Sequence, residues 1–576
     1  MIAGRTERNN TMDNLKSLPE KATEMLGWTW PHFEPYYNEL AGRTLSVATV
    51  ETFLNDWTRF HDRLDEVGTR LSIAKDVNTA DKEAEQKYNR FLEDIYPKSE
   101  QAEQKLKTKL LESGLKPAGF ERPLRRMQAA AALFREANLP LQVEDAKLST
   151  EYGKITGSQT VEWEGKEVTV TRLRPVLMET DRARREKAWR LAAERQLKDR
   201  DVLNGLWQKF LKLRLQMAAN AGFPDYRSFR WQEMYRFDYT PENCKQFQQA
   251  IEQAVVPAAA RIYARRAKQL GLATLKPWDQ DVDPLGRAPL APFKNVDEFK
   301  AGVHSILERV DPNVGSYFET MMKEETLDLE NRKNKAPGGY CAAYDAAKLP
   351  FILMNAVGLH GDVMTLIHES GHASHSFEAR RLPWFQQRHA GLEFAEVASM
   401  GMELLAAPYF AKSAGGFYSD EDAARALTEN LEKDVQFWPY MAVVDGFQQW
   451  VYENPQAAME PANCDKQWTS LWNRLMTGVD WTGFEDVVAT GWQRKLHIFL
   501  VPFYYVEYGL AQLGACQVWA NALKDQAAAV ASYRQVLALG GTKSLPELYA
   551  AAGAKFAFDA GTLGTVIKLI EEKLAG

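Results

Sequence analysis

Along most of the chain, apolar residues recur at three- and four-residue intervals, the spacing that lines one face of an α-helix. The stretches ETFLNDWTRFHDRLDEVGTRL (51 to 71) and ARREKAWRLAAERQLKDRDVLNGLWQKFLKLRLQMAANAG (183 to 222) show it most clearly and predict two long amphipathic helices. One segment of the first half breaks the period. In SQTVEWEGKEVTVTRLRP (158 to 175), Val161 and Trp163 alternate with polar residues, Glu164-Gly165 supplies a turn, and Val168, Val170 and Leu173 follow, which predicts a small β-hairpin. Between 273 and 298, Pro, Asp and Gly interrupt any helix and predict a long structured loop of the kind that borders sites. A second irregular stretch, KNKAPGGYCAAYDAAKLPFILMN (333 to 355), joins a Gly-Gly pair to short β-like runs. Directly after it, GLHGDVMTLIHESGHASHSFEARR (358 to 381) reads as a helix with Asp362 as its N-cap. There is no internal repeat and no low-complexity tail.

Length and composition narrow this helical picture. A chain of 576 residues exceeds what one core organises, so two or more packed lobes are expected. With 45% hydrophobic and 26% charged residues the composition is that of a globular protein, and no stretch approaches the roughly 18 to 20 uninterrupted apolar residues of a membrane span. The polar N-terminus lacks the apolar core of a secretory signal, so a cytoplasmic protein is expected. The net charge is −6, with basic and acidic residues interspersed, which argues against nucleic acid as a partner. Cys244, Cys341, Cys464 and Cys516 are too far apart for a metal knuckle or a disulfide framework and read as reduced, structural thiols.

The chemistry gathers in one place. Of nine histidines, His360, His368, His372, His375 and His389 fall within thirty residues. Within that cluster His368-Glu369-Ser370-Gly371-His372 forms an HExxH motif. Residues four apart on a helix lie about 40° apart around its axis, so the two imidazoles point to one side and can share a tetrahedral zinc ion. Glu369 is misdirected for the same metal but reaches a water beside it, the position of a general base. His375 and His360 read as supporting or structural groups rather than ligands. A third ligand is needed, and HAGLEFAEVASMGMELLAAPYF (389 to 410) offers Glu393, Glu396 and Glu403 on a second helix, with His389 as an outsider. Glu396 and Glu403 share a face, and Ala398, Ser399 and Gly401 are small enough for close helix approach. Glu396 is favoured as ligand and Glu403 as the group that orients the site, with Glu393 left open. Tyr504, Tyr505 and Tyr508, at helical spacing, read by themselves as core packing.

These residues resemble the thimet oligopeptidase and oligoendopeptidase F family of zinc peptidases. HESGHASH looks like that family's extended zinc motif, and FAEVASMGME (394 to 403) is similar to its third-ligand helix, which places the ligand at Glu396. APGGYCAAYDAAKLPFILMN resembles the segment that lies along the family's cleft and holds substrate, and LHIFLVPFYYVEYGLAQ (496 to 512) resembles the one that contributes a histidine and tyrosines opposite the metal. The resemblance spans roughly 200 to 576 and more weakly the helical part before it. It implies a mainly α fold of two helical lobes around a deep substrate channel, with a small β-sheet near the zinc site. Residues 1 to 195 would form an N-terminal helical lobe carrying the hairpin, and 196 to 576 the catalytic domain. It further implies one Zn²⁺ per chain, cleavage of short unfolded peptides, and His497 with Tyr505 or Tyr508 as oxyanion donors. Gly338, Gly339 and Tyr340 would supply backbone contacts to substrate, because an extended peptide can add as a strand to a sheet edge.

Two departures stand out. Relative to the thimet branch, the spacing of 24 from His372 to Glu396 is one residue shorter, and Leu500-Val501-Pro502 replaces a glycine-rich turn. The pattern sits closer to oligoendopeptidase F and related bacterial peptidases that cleave collagen-derived peptides. A dipeptidyl carboxypeptidase-like exopeptidase is the rival enzyme; it would need a group to capture the substrate C-terminus, a role the sequence does not give to Arg494. A non-catalytic helical peptide-binding protein is the rival of another class, opposed by the intact HExxH.

Overall fold

A computed structural model describes residues 14–332, 334–336 and 338–575. The chain is mainly helical, with one two-stranded and one three-stranded sheet among the described residues. The helix expected from 51 to 71 is the central part of α1 (Val50–Val77), which buries Phe53, Leu54, Trp57, Phe60, Leu64, Val67 and Leu71 along one face. The helix expected from 183 to 222 is instead two, α2 (Arg182–Leu197) and α3 (Arg200–Asn220). The break falls where Lys198 and Asp199 have nothing apolar to bury. The Asp199 carboxylate is held by Gln159 and Arg195, each at 2.8 Å, and α3 starts afresh behind it.

The hairpin pairs β1 (Thr160–Trp163) with β2 (Lys166–Thr169) in antiparallel register, Trp163 opposite Lys166. Glu164 and Gly165 both adopt left-handed backbone, with φ of 53° and 76°, as a tight two-residue hairpin turn requires. Val170 and Leu173 are not strand residues. They form a short 3₁₀ turn, because Leu173 packs into a small core with Trp163, Val176 and Ala188 rather than continuing the ladder.

The second sheet lies beside the histidine-rich helix and has the order β3-β5-β4. β5 (Leu349–Ala356) is central and buried from Pro350 to Met354; β3 (Leu327–Glu330) runs parallel to it and β4 (Tyr340–Tyr344) antiparallel. β4 is thus an edge. Its tip is tied to α1, since the Tyr340 hydroxyl donates to Asp76 at 3.0 Å.

After β5 the chain enters α4 (His360–Ala379). Asp362 is not its N-cap but its third residue. Its carboxylate folds back and accepts the N–H groups of Val357, Gly358 and Leu359 at 2.8, 2.9 and 2.9 Å, bracing the bend between strand and helix. α5 (Leu392–Ala406) packs on α4 and on α7 (Tyr505–Ala522), and α6 (Asp420–Glu453) packs on α7. The approach of α4 to α5 is unusually close. A methyl group on Gly371 would lie 2.5 Å from the Ala398 carbonyl oxygen and 2.6 Å from Ser399 Cα.

One large apolar cluster joins residues from Leu15 to Met127 with Trp384, and a larger one runs from Leu133 to Ile570. Residue 195 lies inside α2. The Pro- and Asp-rich segment is irregular apart from a short turn, Pro277–Asp279, and borders a recess of about 980 Å³ at the start of α4, lined by Leu290, His360, Gly361, Arg425 and Glu429. All four cysteines are unpaired, and no described helix is long and apolar enough to cross a membrane.

Gly371→Ala forces α4 and α5 apart, and overpacking of this kind destabilises by about 1–3 kcal/mol. Thermal unfolding of the variant is expected about 1–3 degrees below wild type; an unchanged melting temperature would mean that the two helices do not meet at Gly371.

Candidate metal centre

Three side chains from two helices converge. His368 and His372, one turn apart on α4, present Nε2 atoms 3.4 and 3.6 Å from the same oxygen of Glu396 on α5. Among the described residues this is the one group of three such donors within 4.8 Å of one another. Zinc bonds of about 2.0–2.2 Å in a tetrahedral shell imply donor separations of about 3.3–3.5 Å. The glutamate-to-imidazole spacings therefore fit a zinc ion closely. The two rings, 80° apart in plane, expose different edges to that point.

The surroundings hold the donors in place. Glu403, two turns beyond Glu396, lies 2.7 Å from His368 Nδ1, so the imidazole gives its other nitrogen to the metal position. Ser399 donates to Glu396 at 2.9 Å. Burial alone would push the Glu396 carboxyl up, but the two imidazoles outweigh it and hold it well below the usual carboxylate range. Burial conversely pulls His368 down, while its contacts with Glu396 and Glu403 push it up to about 10. Carboxylates thus dominate the field around the imidazoles. A divalent cation is the complement of that arrangement.

Glu369 is buried beside the triad, and burial raises its pKa against the pull of both imidazoles; the backbone N–H of Cys341 on β4 points at its carboxylate. Ile352 gives its N–H to Thr326 on the β3 side, so its opposite number Cys341, and Ala343 two residues on, turn their backbone groups away from β5 toward the outer edge.

The other expected residues fall into two groups. His375 is buried against Phe394, its Nε2 has no partner among the described residues, and burial lowers it to about 3, so it is a neutral packing group. His360 is held between Tyr418 at 2.8 Å and Asn430 at 3.2 Å. Glu393 accepts from Tyr239 at 2.7 Å and faces Arg236, so it is committed to the core. His389 is not among the converging donors. Gly338 has left-handed backbone with φ of 96°, and its carbonyl accepts from Asn355 at 3.1 Å; Gly339 is tightly packed against Thr365.

Opposite the triad, His497 rises from the short helix Leu496–Leu500 and stands among Tyr504, Tyr505 and Tyr508. Burial lowers His497 to about 4 and it is neutral. Tyr504, read from the sequence only as packing, reaches the second oxygen of Glu396 at 3.4 Å, and its ring lies edge-on to that of Tyr508 with centroids 5.2 Å apart. Tyr508 lies within the electrostatic reach of Glu396 and Glu369, and burial pushes it up to about 12. Tyr505 turns elsewhere: its ring packs edge-on against Phe437 and Tyr440 and lies under the Lys495 ammonium. Nothing local in FYYVEY distinguishes the three tyrosines, since Tyr504 is singled out only by a partner on another helix.

The loop before these tyrosines is fixed from several sides. Phe503, with φ of 66°, donates its N–H to Gln448 at 2.7 Å, and its carbonyl accepts from the buried Arg236 at 2.5 Å. Arg236 also pairs with Glu507 at 2.8 Å. Leu500-Val501-Pro502 therefore leads into a braced turn.

Comparison with known proteins agrees with this architecture. The chain resembles oligopeptidase PepF of Bacillus subtilis (strain 168), 24% identical over 279 residues; the alignment spans 45% of this chain and 39% of that protein. In three dimensions it superposes on PZ peptidase A, solved with an inhibitor, with a TM-score of 0.86 at 26% identity, covering 96% of this chain and 97% of that one. A structure named as an oligoendopeptidase F gives a TM-score of 0.88 at 26% identity, covering 96% and 99%. The model of peptidase family M3 matches residues 176–565, which include every donor of the triad, and the chain belongs to that family of metallopeptidases.

Proposed function

We propose that this protein is a zinc-dependent oligoendopeptidase that hydrolyses internal bonds of short, unfolded peptides. The observation that carries the reading is the convergence of His368, His372 and Glu396 at zinc-ligand spacing with Glu369 alongside. Zinc held by these three side chains, one ion per chain, would supply Lewis-acid polarisation of the scissile carbonyl and acidify water. Glu369 accepts the proton of the attacking water and passes it to the leaving amine; the burial that raises its pKa makes it a better base than an exposed carboxylate. Tyr508, kept protonated at neutral pH, donates a hydrogen bond to the developing oxyanion, and neutral His497 supplies a second donor. Tyr504 orients Tyr508 and shields Glu396. Substrate lies along β4, whose outward backbone groups at Cys341 and Ala343 extend the strip begun at Gly338, Gly339 and Tyr340. Support for the endopeptidase reading over the exopeptidase one includes Arg494, whose guanidinium is engaged by the Val487 carbonyl at 2.6 Å and by Thr490 at 3.3 Å.

Glu369→Gln is expected to retain zinc and fold while losing turnover of an internally quenched peptide by roughly 10²–10⁴-fold, because an amide cannot take the water proton. Near-normal turnover in the zinc-loaded variant would remove Glu369 from its role.

Metal analysis separates the acidic residues of α5. Glu396→Ala should purify with little zinc, whereas Glu393→Ala should keep its zinc but melt at lower temperature, since it leaves Arg236 and Tyr239 short of a partner. The reverse pattern would reassign the ligand.

For Tyr508→Phe, kcat is expected to fall by about 10²–10³-fold with zinc content and KM little changed, the pattern of a donor used in the transition state. An unchanged kcat would show that the hydroxyl serves packing alone.

A further inference from the structure

The wall that carries His497 also carries a cation that makes no ion pair with any of the described residues. Lys495, two residues before His497, has its ammonium 3.8 Å from the centre of the Tyr505 ring and 5.3 Å from that of Tyr440. Burial is the one influence on its pKa, lowering it to about 8, and no carboxylate contributes. Several other buried or half-buried cations are committed, Arg236 to Glu507, Arg388 to Asp62 and Arg494 to the Val487 carbonyl, while the Arg380 guanidinium has no hydrogen-bond partner among the described residues. An aromatic cradle stabilises a cation but leaves its N–H donors on the open side without acceptors. The tyrosines link this cradle to the triad: Tyr505 packs tilted against His497 and edge-on against Tyr508, and Tyr504 reaches Glu396. The Tyr505 ring lies between Lys495 and Tyr508, 3.8 Å from the Lys495 ammonium and 5.7 Å from the Tyr508 ring, a span that about two or three extended residues at roughly 3.3 Å each would bridge.

We propose that Lys495, cradled by Tyr505 and Tyr440, is a binding site for a carboxylate of the peptide substrate, two or three residues from the scissile bond. The carboxylate is an acidic side chain of the bound peptide, since capture of a free C-terminus at this distance belongs to an exopeptidase. This assignment rests on the peptidase reading above and adds a selectivity to it. It also gives Tyr505 a task distinct from that of Tyr508, to hold the ammonium in place.

The test compares matched peptides on the zinc-loaded enzyme: one sequence as free acid and as C-terminal amide, and a second series in which Glu replaces Gln at each position around the cleaved bond. A carboxylate at the right place should lower KM about tenfold or more, the scale of one charge-assisted hydrogen bond. One Glu peptide should be favoured over its Gln counterpart; if the free acid is favoured over the amide instead, Lys495 captures the C-terminus and the exopeptidase reading replaces the endopeptidase one. In either case the preference should collapse to about one in Lys495→Met and survive in Lys495→Arg. Equal treatment of all pairs by the wild-type enzyme would overturn the proposal without need of any variant, and so would a preference that persists in a folded Lys495→Met. Fluorescence polarisation with the same labelled pairs on Glu369→Gln reads binding without turnover. Absence of all cleavage would count against the peptidase reading, while the binding ratio would still decide the role of Lys495.

Discussion

The metal site depends on one contact between helices. α4 carries two imidazoles one turn apart, which an isolated helix would do as well, but the third donor must come from a different segment, brought to within a few tenths of an ångström. Gly371 makes this possible. With no side chain at position 371, the backbone of α4 can lie against Ala398 and Ser399 of α5, and that register sets Glu396 over His368 and His372. The same register lets Glu403 reach the far side of His368. A larger residue at 371 would therefore disturb packing and chemistry together.

A second constraint governs the opposite wall. The tyrosine-bearing helix α7 begins at a turn whose backbone is tied to buried polar side chains: Gln448 from α6, and Arg236, which also bridges Glu507 of α7 toward Glu393 of α5. Breaking one partner of such a buried pair commonly destabilises by about 3–5 kcal/mol, because the other charge is left without compensation. The ion cluster thus fixes Tyr504 and Tyr508 relative to Glu396 instead of leaving them on a mobile loop. Glu393, one of three candidate ligands in the sequence, serves this second purpose.

Much of this was legible in the sequence because the determinants are local. HExxH on a helix sets the direction of two donors, and the period-two pattern around Glu164-Gly165 gives the hairpin. What was not legible depends on partners far along the chain. Lys198-Asp199 breaks a helix that periodicity reads as continuous, since Gln159 and Arg195 hold Asp199 at the junction. Asp362 reads as a cap but braces the preceding bend, a distinction set by backbone geometry. Three tyrosines within five residues look equivalent until the α5 carboxylate and the Lys495 ammonium divide them.

The central claim is that two imidazoles and one carboxylate form a single zinc site. X-ray absorption at the zinc edge, on protein carrying one equivalent of the metal, tests it most directly. The account predicts a light-atom shell at about 2.0–2.1 Å with the multiple-scattering pattern of two imidazoles and no sulfur. A sulfur contribution near about 2.3 Å, or a shell without imidazole scattering, would place the metal elsewhere and contradict it.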